Sequence, residues 1–224
     1  MPMRGRTAVA GALAPTMMLL AGCAEPVAGT ATWPGAVLDR ALLDESDFPP
    51  GVQYDRIVDQ PDRPDGAGGP GPMLSRPAGC ADALTNVIKE SAERGPGSAA
   101  KYAVSYDGAR IAMTLLSWNL DMDALEAAAD RCASFEAFFD PGSEGIPITT
   151  AALSGAESGA LAYQQTMELG GSPTSVFMAF QNVGRRAVFG LAFPGNNPMI
   201  AAKASLPQTF LDVFNDQVGK LRSS

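Results

Sequence analysis

Residues 161–193 read LAYQQTMELGGSPTSVFMAFQNVGRRAVFGLAF, and their spacing decides the fold. Leu161, Tyr163 and Met167 alternate with polar neighbours, then Val176, Met178 and Phe180 alternate, and finally Ala187, Phe189, Leu191 and Phe193 share one side. A period of two belongs to extended chain, whose side chains point to opposite faces in turn. The joints are short, Gly170 to Pro173 and then Asn182-Val183-Gly184, so the three runs read as an antiparallel meander rather than crossover-linked parallel strands. Phe177, Val188, Gly190 and Ala192 occupy the other side. Either both faces of this sheet are covered or one face lines a groove.

Working outward, Tyr102, Val104 and Tyr106 alternate ahead of Asp107-Gly108, a pair suited to the positive φ of a two-residue hairpin, and residues 109–118 return as the second strand. Residues 146–153 read as a further strand. Residues 52–58, with Val52, Tyr54 and Ile57, read as a first strand behind the stop Pro49-Pro50-Gly51. Helical spacing predicts a helix over 77–94, with Cys80, Ala83, Leu84, Val87 and Ile88 on one face and Gly95-Pro96 closing it. A second covers 121–139, with Leu125, Ala128, Ala129, Cys132, Phe135 and Phe139. A third begins at Ser205-Leu206-Pro207-Gln208, which has capping-box spacing, and buries Phe210, Leu211, Phe214, Val218 and Leu221. Residues 37–43 and the start at Asn197-Pro198 read as short helices. The expected architecture is α+β: one domain over residues 36–224, an antiparallel sheet with helices packed on one face.

The chain has 224 residues, 46% hydrophobic and 18% charged, which excludes global disorder. Its 16 basic and 24 acidic side chains give a net charge of −8 without a single histidine. An acidic molecule repels phosphate backbones, so nucleic acid is not an expected partner. The absence of histidine removes Ser-His-Asp and Cys-His catalysis and the commonest metal ligand. A non-enzymatic protein with no cofactor and no metal is the expectation.

The N-terminus carries Arg4 and Arg6, followed by residues 7–20 without any charge. That is the pattern of an export leader, too short and too interrupted by Pro15 to span a bilayer stably. It ends in Leu20-Ala21-Gly22-Cys23, which resembles the bacterial lipobox. The resemblance implies cleavage between Gly22 and Cys23 and a diacylglyceryl group on the Cys23 thiol, with membrane lipid as the first partner. Two or more acyl chains supply anchoring that one chain cannot. The expected location is therefore the cell membrane, lipid-anchored, on its extracytoplasmic face. Loss of the signal peptide, residues 1–22, leaves 202 residues and takes the charge from −8 to −10. Residues 23–35 show no period and read as a flexible tether.

With Cys23 acylated, Cys80 and Cys132 remain, an even count in an oxidising compartment, and a disulfide between them is expected; the alternative is two inert buried thiols. Such a bridge would staple the second predicted helix to the first. Neither cysteine lies in a Cys-x-x-Cys pair, so redox and zinc chemistry find no support.

Other candidate chemistry is sparse. Ser98-Ala99-Ala100-Lys101 has the Ser-x-x-Lys spacing of serine acyl-transferases, but the four residues lead into a strand instead of opening a helix. Asp121, Asp123 and Glu126 suit a first helical turn without a metal. Asp59, Asp62 and Asp65 lack calcium-loop spacing. Tyr163, Met167, Phe177, Met178, Phe180, Phe189 and Phe193 would line a pocket for a lipophilic ligand, or else pack as core. Arg185-Arg186, after a turn, reads as an exposed basic edge or an anion contact.

The lipobox, the run from Leu42-Leu43 to Phe48-Pro49-Pro50-Gly51, Pro77-x-x-Cys80, Cys132 and the turn-strand from Asn182 to Phe193 together resemble a group of mycobacterial envelope lipoproteins. These are similar to the extracellular sensor domains of mycobacterial receptor serine/threonine kinases. The resemblance implies an antiparallel sheet backed by helices, disulfide linkage and a cleft for a ligand. Two functions follow as expectations: a lipoprotein binding a lipophilic ligand in a sheet-face groove, or a protein-interaction module of a cell-envelope complex.

Overall fold

A computed structural model describes residues 34–58 and 73–224. The leader, the Gly22–Cys23 cleavage position, the tether up to residue 33 and the three aspartates of residues 59–65 lie outside the described residues. The elements are α1 (Pro34–Ala41), a 3-10 turn (Glu45–Asp47), β1 (Gln53–Ile57), β2 (Leu74–Arg76), α2 (Asn86–Glu93), β3 (Ala99–Tyr106), β4 (Gly108–Leu116), α3 (Met122–Arg131), β5 (Ser134–Phe138), β6 (Ile146–Ala152), β7 (Leu161–Leu169), β8 (Ser172–Val183), β9 (Arg186–Gly195) and α4 (Gln208–Ser223). Among the described residues the strands form one sheet in the order β1-β3-β4-β9-β8-β7-β6-β5-β2. Each neighbouring pair is antiparallel. The domain is α+β, as expected.

The 161–193 meander forms β7, β8 and β9 with its predicted alternation intact. In the β3–β4 hairpin Tyr106 pairs with Ala109 across Asp107-Gly108. Gly108 has φ +114°, and a Cβ there would meet the Ala204 carbonyl oxygen at 2.5 Å, so both conformation and space demand glycine.

Two faces of alternation fill two layers. Tyr102, Val104, Ile111, Met113, Phe177 and Val188 pack with Leu38, Phe210, Phe214 and Val218, so α1 and α4 cover one face. Met178, Phe180, Phe189 and Leu191 pack with Leu84, Val87, Ala128 and Ala129, so α2 and α3 lie on the other. The helices are thus shared between the two faces, where the sequence reading had them on one. The apolar residues on both sides of β8 and β9 are the cause, since each side needs its own cover. Buried Gln217 of α4 stitches the first layer to the chain end of α1: its amide donates to the Ala41 carbonyl (2.7 Å) and accepts from the Leu43 N–H (3.0 Å).

Four local expectations are corrected. The 77–94 helix begins only at Asn86; before it, Gly79 at φ +80° and a turn closed from Thr85 N–H to the Asp82 carbonyl (3.0 Å) break the helical path. The 121–139 helix stops at Arg131, and Ser134–Phe138 is a strand in which Phe135 and Ala137 are buried and Ser134 and Glu136 exposed. Four residues spaced by three and four had disguised a five-residue run of period two. Phe139, predicted on the helix face, is 70% exposed. The capping box at Ser205 does not form, because Thr209 reaches back to the Ser205 N–H (2.9 Å) and Pro207 stands at the cap. Asn197-Pro198 makes one turn, Ile200 N–H to the Asn197 carbonyl (3.0 Å), instead of a helix.

The disulfide between Cys80 and Cys132 is present, with Cα atoms 5.5 Å apart. It joins the turn before α2 to the C-cap of α3 rather than helix to helix. Around it pack Phe135, Ala137 and Ile148, with Met73 and Met167 at the margin. Among the described residues no helix is long and apolar enough to cross a membrane.

Two substitutions probe the α1/α4 layer. A Cβ at Gly190 would sit 2.9 Å from the Phe210 ring, 3.0 Å from Met113 Sδ and 3.0 Å from the Phe214 ring, all of them fully buried. Gly190→Ala is expected to lower stability by about 1–3 kcal/mol, read as an earlier urea midpoint. Tyr102 is fully buried, stacked on Tyr54 at 5.5 Å, and its hydroxyl has no hydrogen-bond partner among the described residues. Burial pushes its phenol well above the usual range. Removing an unpartnered buried hydroxyl should help, so Tyr102→Phe is expected to gain about 1 kcal/mol in the same measurement.

Candidate binding surfaces

The residues expected to line a lipophilic groove divide among three environments. Tyr163, Phe180 and Phe189 stand side by side on β7, β8 and β9: the Tyr163 and Phe180 ring centroids are 6.5 Å apart, and Phe180 and Phe189 stack at 5.1 Å. Met178 and Phe180 are wholly buried beneath α2 and α3, while Phe193 packs at the margin. Burial raises the Tyr163 hydroxyl pKa, with Glu126 and Asp130 adding to the rise. Phe177 does not join this row. It lies directly across from Gln164 on the opposite face, among the residues under α1 and α4. Met167 sits against the disulfide cluster. Phe177 and Phe180 point to opposite faces of β8, and Tyr163 and Met167 lie toward opposite ends of β7, so the candidates cannot share a single wall.

The other candidates fall as their local chemistry dictates. β3 begins at Ala99, one residue past Ser98, whose hydroxyl donates to the Gly95 carbonyl (2.7 Å); Lys101 lies within the strand. The Ser-x-x-Lys spacing therefore does not fall on one helical turn. The Asp121 carboxylate accepts the Ala124 N–H (2.9 Å) and caps α3. At the β8–β9 turn Arg186 donates to the Leu221 carbonyl (3.0 Å) and to Ser224 Oγ (3.1 Å), while Arg185 is exposed.

A surface that sequence reasoning missed lies on the other half of the sheet. Across β5, β6, β7 and the start of β8, residues in register share a face: Ser134 with Thr149, Thr149 with Thr166, Thr166 with Ser175, and Ala151 with Gln164. This is the face that carries Phe177 further along β8, but among the described residues the main contacts of α1 and α4 are with β3, β8 and β9. It is polar and hydrogen-bonded within itself. The Gln164 amide donates to Thr166 Oγ1 (3.2 Å) and Ser175 Oγ (2.8 Å), and the two hydroxyls lie 2.9 Å apart. Ser134, Glu136, Thr149 and Ala151 are exposed. At the far edge Arg76 pairs with Glu136 (3.5 Å) and lies over the Phe138 ring. The signal was present as Gln164 and Thr166 alternating with Tyr163, Gln165 and Met167, but period two alone does not say which face is left open.

These observations define an antiparallel α+β domain, covered on both faces at one half of its sheet and, among the described residues, open and polar on one face at the other, with a disulfide between Cys80 and Cys132. No protein-family model matches the chain, and no curated protein matches it. Among solved structures it is similar to an uncharacterised Mycobacterium smegmatis protein, the Rv0999 ortholog, at 14% identity and a TM-score of 0.45, over 85% of this chain and 96% of that one.

Proposed function

We propose that the chain is an exported lipoprotein, held by acylated Cys23 on the extracytoplasmic face of the membrane, and that its domain is a non-enzymatic interaction module of a cell-envelope complex. The lipobox supports the anchor, and a disulfide linking the two remaining cysteines suits an oxidising compartment. The observation that carries the interaction reading is the half-sheet face of Ser134, Thr149, Gln164, Thr166 and Ser175, open among the described residues. It offers short, ordered hydrogen-bonding side chains that lose little conformational freedom on contact. The likeness to mycobacterial receptor-kinase sensor domains fits this reading, although no signalling role is carried over.

A photo-crosslinking side chain at Thr149 or Thr166, introduced into the protein in its own envelope, tests it. The expected result is a discrete protein adduct from these positions and none from Asp212, exposed on α4. Equal yields from all three would contradict it.

A second reading keeps a lipophilic ligand in the layer between α2, α3 and the sheet, favoured by the row Tyr163, Phe180 and Phe189. Native mass spectrometry of envelope-purified protein separates the two: a stoichiometric protein supports the module, a retained lipid the ligand carrier.

A further inference from the structure

The β8–β9 turn presents Arg185 and Arg186 at the end of the sheet from which α1 departs. The Asp39 carboxylate of α1 pairs with Arg56, which also donates to the Lys101 carbonyl; four residues later the Leu43 carbonyl accepts from the Tyr54 hydroxyl (3.0 Å). In β1 and β3 those contacts move from the Ile57–Lys101 pair toward the Gln53–Ser105 pair. Helix α1 therefore runs away from the Ile57 end, and Pro34, its first residue, lies toward that end. Register carries the same end across the sheet, from Ala99 to Leu116, from Leu116 to Ala187 and so to the turn between Val183 and Arg186.

The end is arginine-rich in a molecule that is otherwise acidic. Arg94 lies 4.2 Å over the Trp118 ring, the Asn119 amide holds the Gly184 carbonyl (3.0 Å), and Val58 is 69% exposed. Of the carboxylates nearby, Glu90 pairs with Arg94, Glu157 with Arg222 (2.9 Å) and Asp121 caps α3, while Asp123 in the first turn of α3 is exposed. Among the described residues Arg185 has no carboxylate partner.

We propose that this end of the domain rests on the anionic phospholipid surface that holds Cys23, with Arg185 and Arg186 on headgroup phosphates and the Trp118–Arg94 pair beside them at the interface. The inference rests on the lipid-anchor reading. Ten residues separate Cys23 from Pro34, a contour of at most roughly 40 Å. The tether therefore keeps this end at high effective concentration near the bilayer, and weak contacts suffice. An arginine near an anionic surface shifts the contact equilibrium roughly five-fold, and tryptophan favours the same depth. The remaining acidic surface is repelled, which selects this end over others. The sheet then stands away from the membrane with its polar half-face accessible from the side.

The test uses the acylated full protein with Trp33→Phe, which leaves Trp118 as the single tryptophan, reconstituted in lipid nanodiscs carrying a headgroup nitroxide. In discs containing phosphatidylglycerol Trp118 fluorescence should be quenched. The docked-to-undocked ratio should fall roughly five-fold in Arg185→Ser, recover in Arg185→Lys, and docking should be lost in pure phosphatidylcholine or at ~1 M salt, where screening acts within about 3 Å. Arg185 is exposed and has no ion-pair partner among the described residues, so its replacement leaves folding intact, unlike Arg186, which ties down the end of α4. Quenching unchanged by Arg185→Ser, or absent in phosphatidylglycerol although the intact mass shows an acylated Cys23, overturns this orientation alone. An unacylated mass overturns the anchor and the orientation together.

Discussion

Replacing Phe180 by alanine is expected to lower the stability of the domain by about 3–5 kcal/mol, the range for truncating a fully buried aromatic side chain. Phe180 is at the centre of its layer: wholly buried, stacked on Phe189, tilted against Tyr163 and roofed by residues of α2 and α3. Truncation leaves a hole that neighbours held on a nine-stranded sheet cannot collapse to fill. Domains of this size retain about 5–15 kcal/mol in all, so the variant should be close to unfolding at physiological temperature. The measurement also bears on the two functional readings. A side chain lining an open groove loses little stability on truncation, so a urea midpoint within about 1 kcal/mol of the parent would return Phe180 to the ligand-carrier account.

The second large effect is expected from the disulfide. Cys80 and Cys132 are 52 residues apart in sequence, and closing a loop of that length restricts the unfolded chain by about 4 kcal/mol on the chain-entropy estimate. The paired variant Cys80→Ala with Cys132→Ala should lose about that much. The disulfide cluster holds Phe135, Ala137 and Ile148 of β5 and β6, so amide exchange in those strands should accelerate more than in β4 or β9. An oxidised and a double-alanine protein with the same denaturation midpoint would show that the bridge leaves the unfolded chain no more restricted than before.

The meander, the Asp107-Gly108 hairpin, the cysteine pairing and the C-terminal helix were legible because each rests on a local rule: period two, a two-residue turn, an even thiol count, an apolar stripe. What escaped was set by contacts between distant parts of the chain. Phe135 satisfied helical spacing from Ala128 and Cys132, yet partnership with Ile148 on β6 made it a strand residue. Cys80 fitted a helical face, but the turn at Gly79 and the bond from its own N–H to Ser75 Oγ (2.8 Å) put it ahead of the helix. The allocation of helices to both faces depended on chain order through the sheet, where β9 inserts between β4 and β8, and no periodicity encodes that. The polar half-face was written in Gln164, Thr166 and Ser175, but its openness among the described residues follows from where α4 lies over β8 and β9. The candidate ligand residues were chosen for apolarity, and alternation then sent Phe177 to the opposite layer.

Pulse-labelling with a palmitate analogue, followed by membrane fractionation, tests the lipid-held, extracytoplasmic module most directly. The account predicts label on the parent protein and recovery in the membrane fraction, and for Cys23→Ser an unlabelled chain that keeps residues 1–22. Label that persists in Cys23→Ser, or an unlabelled parent found in the cytosol with its leader intact, would contradict it.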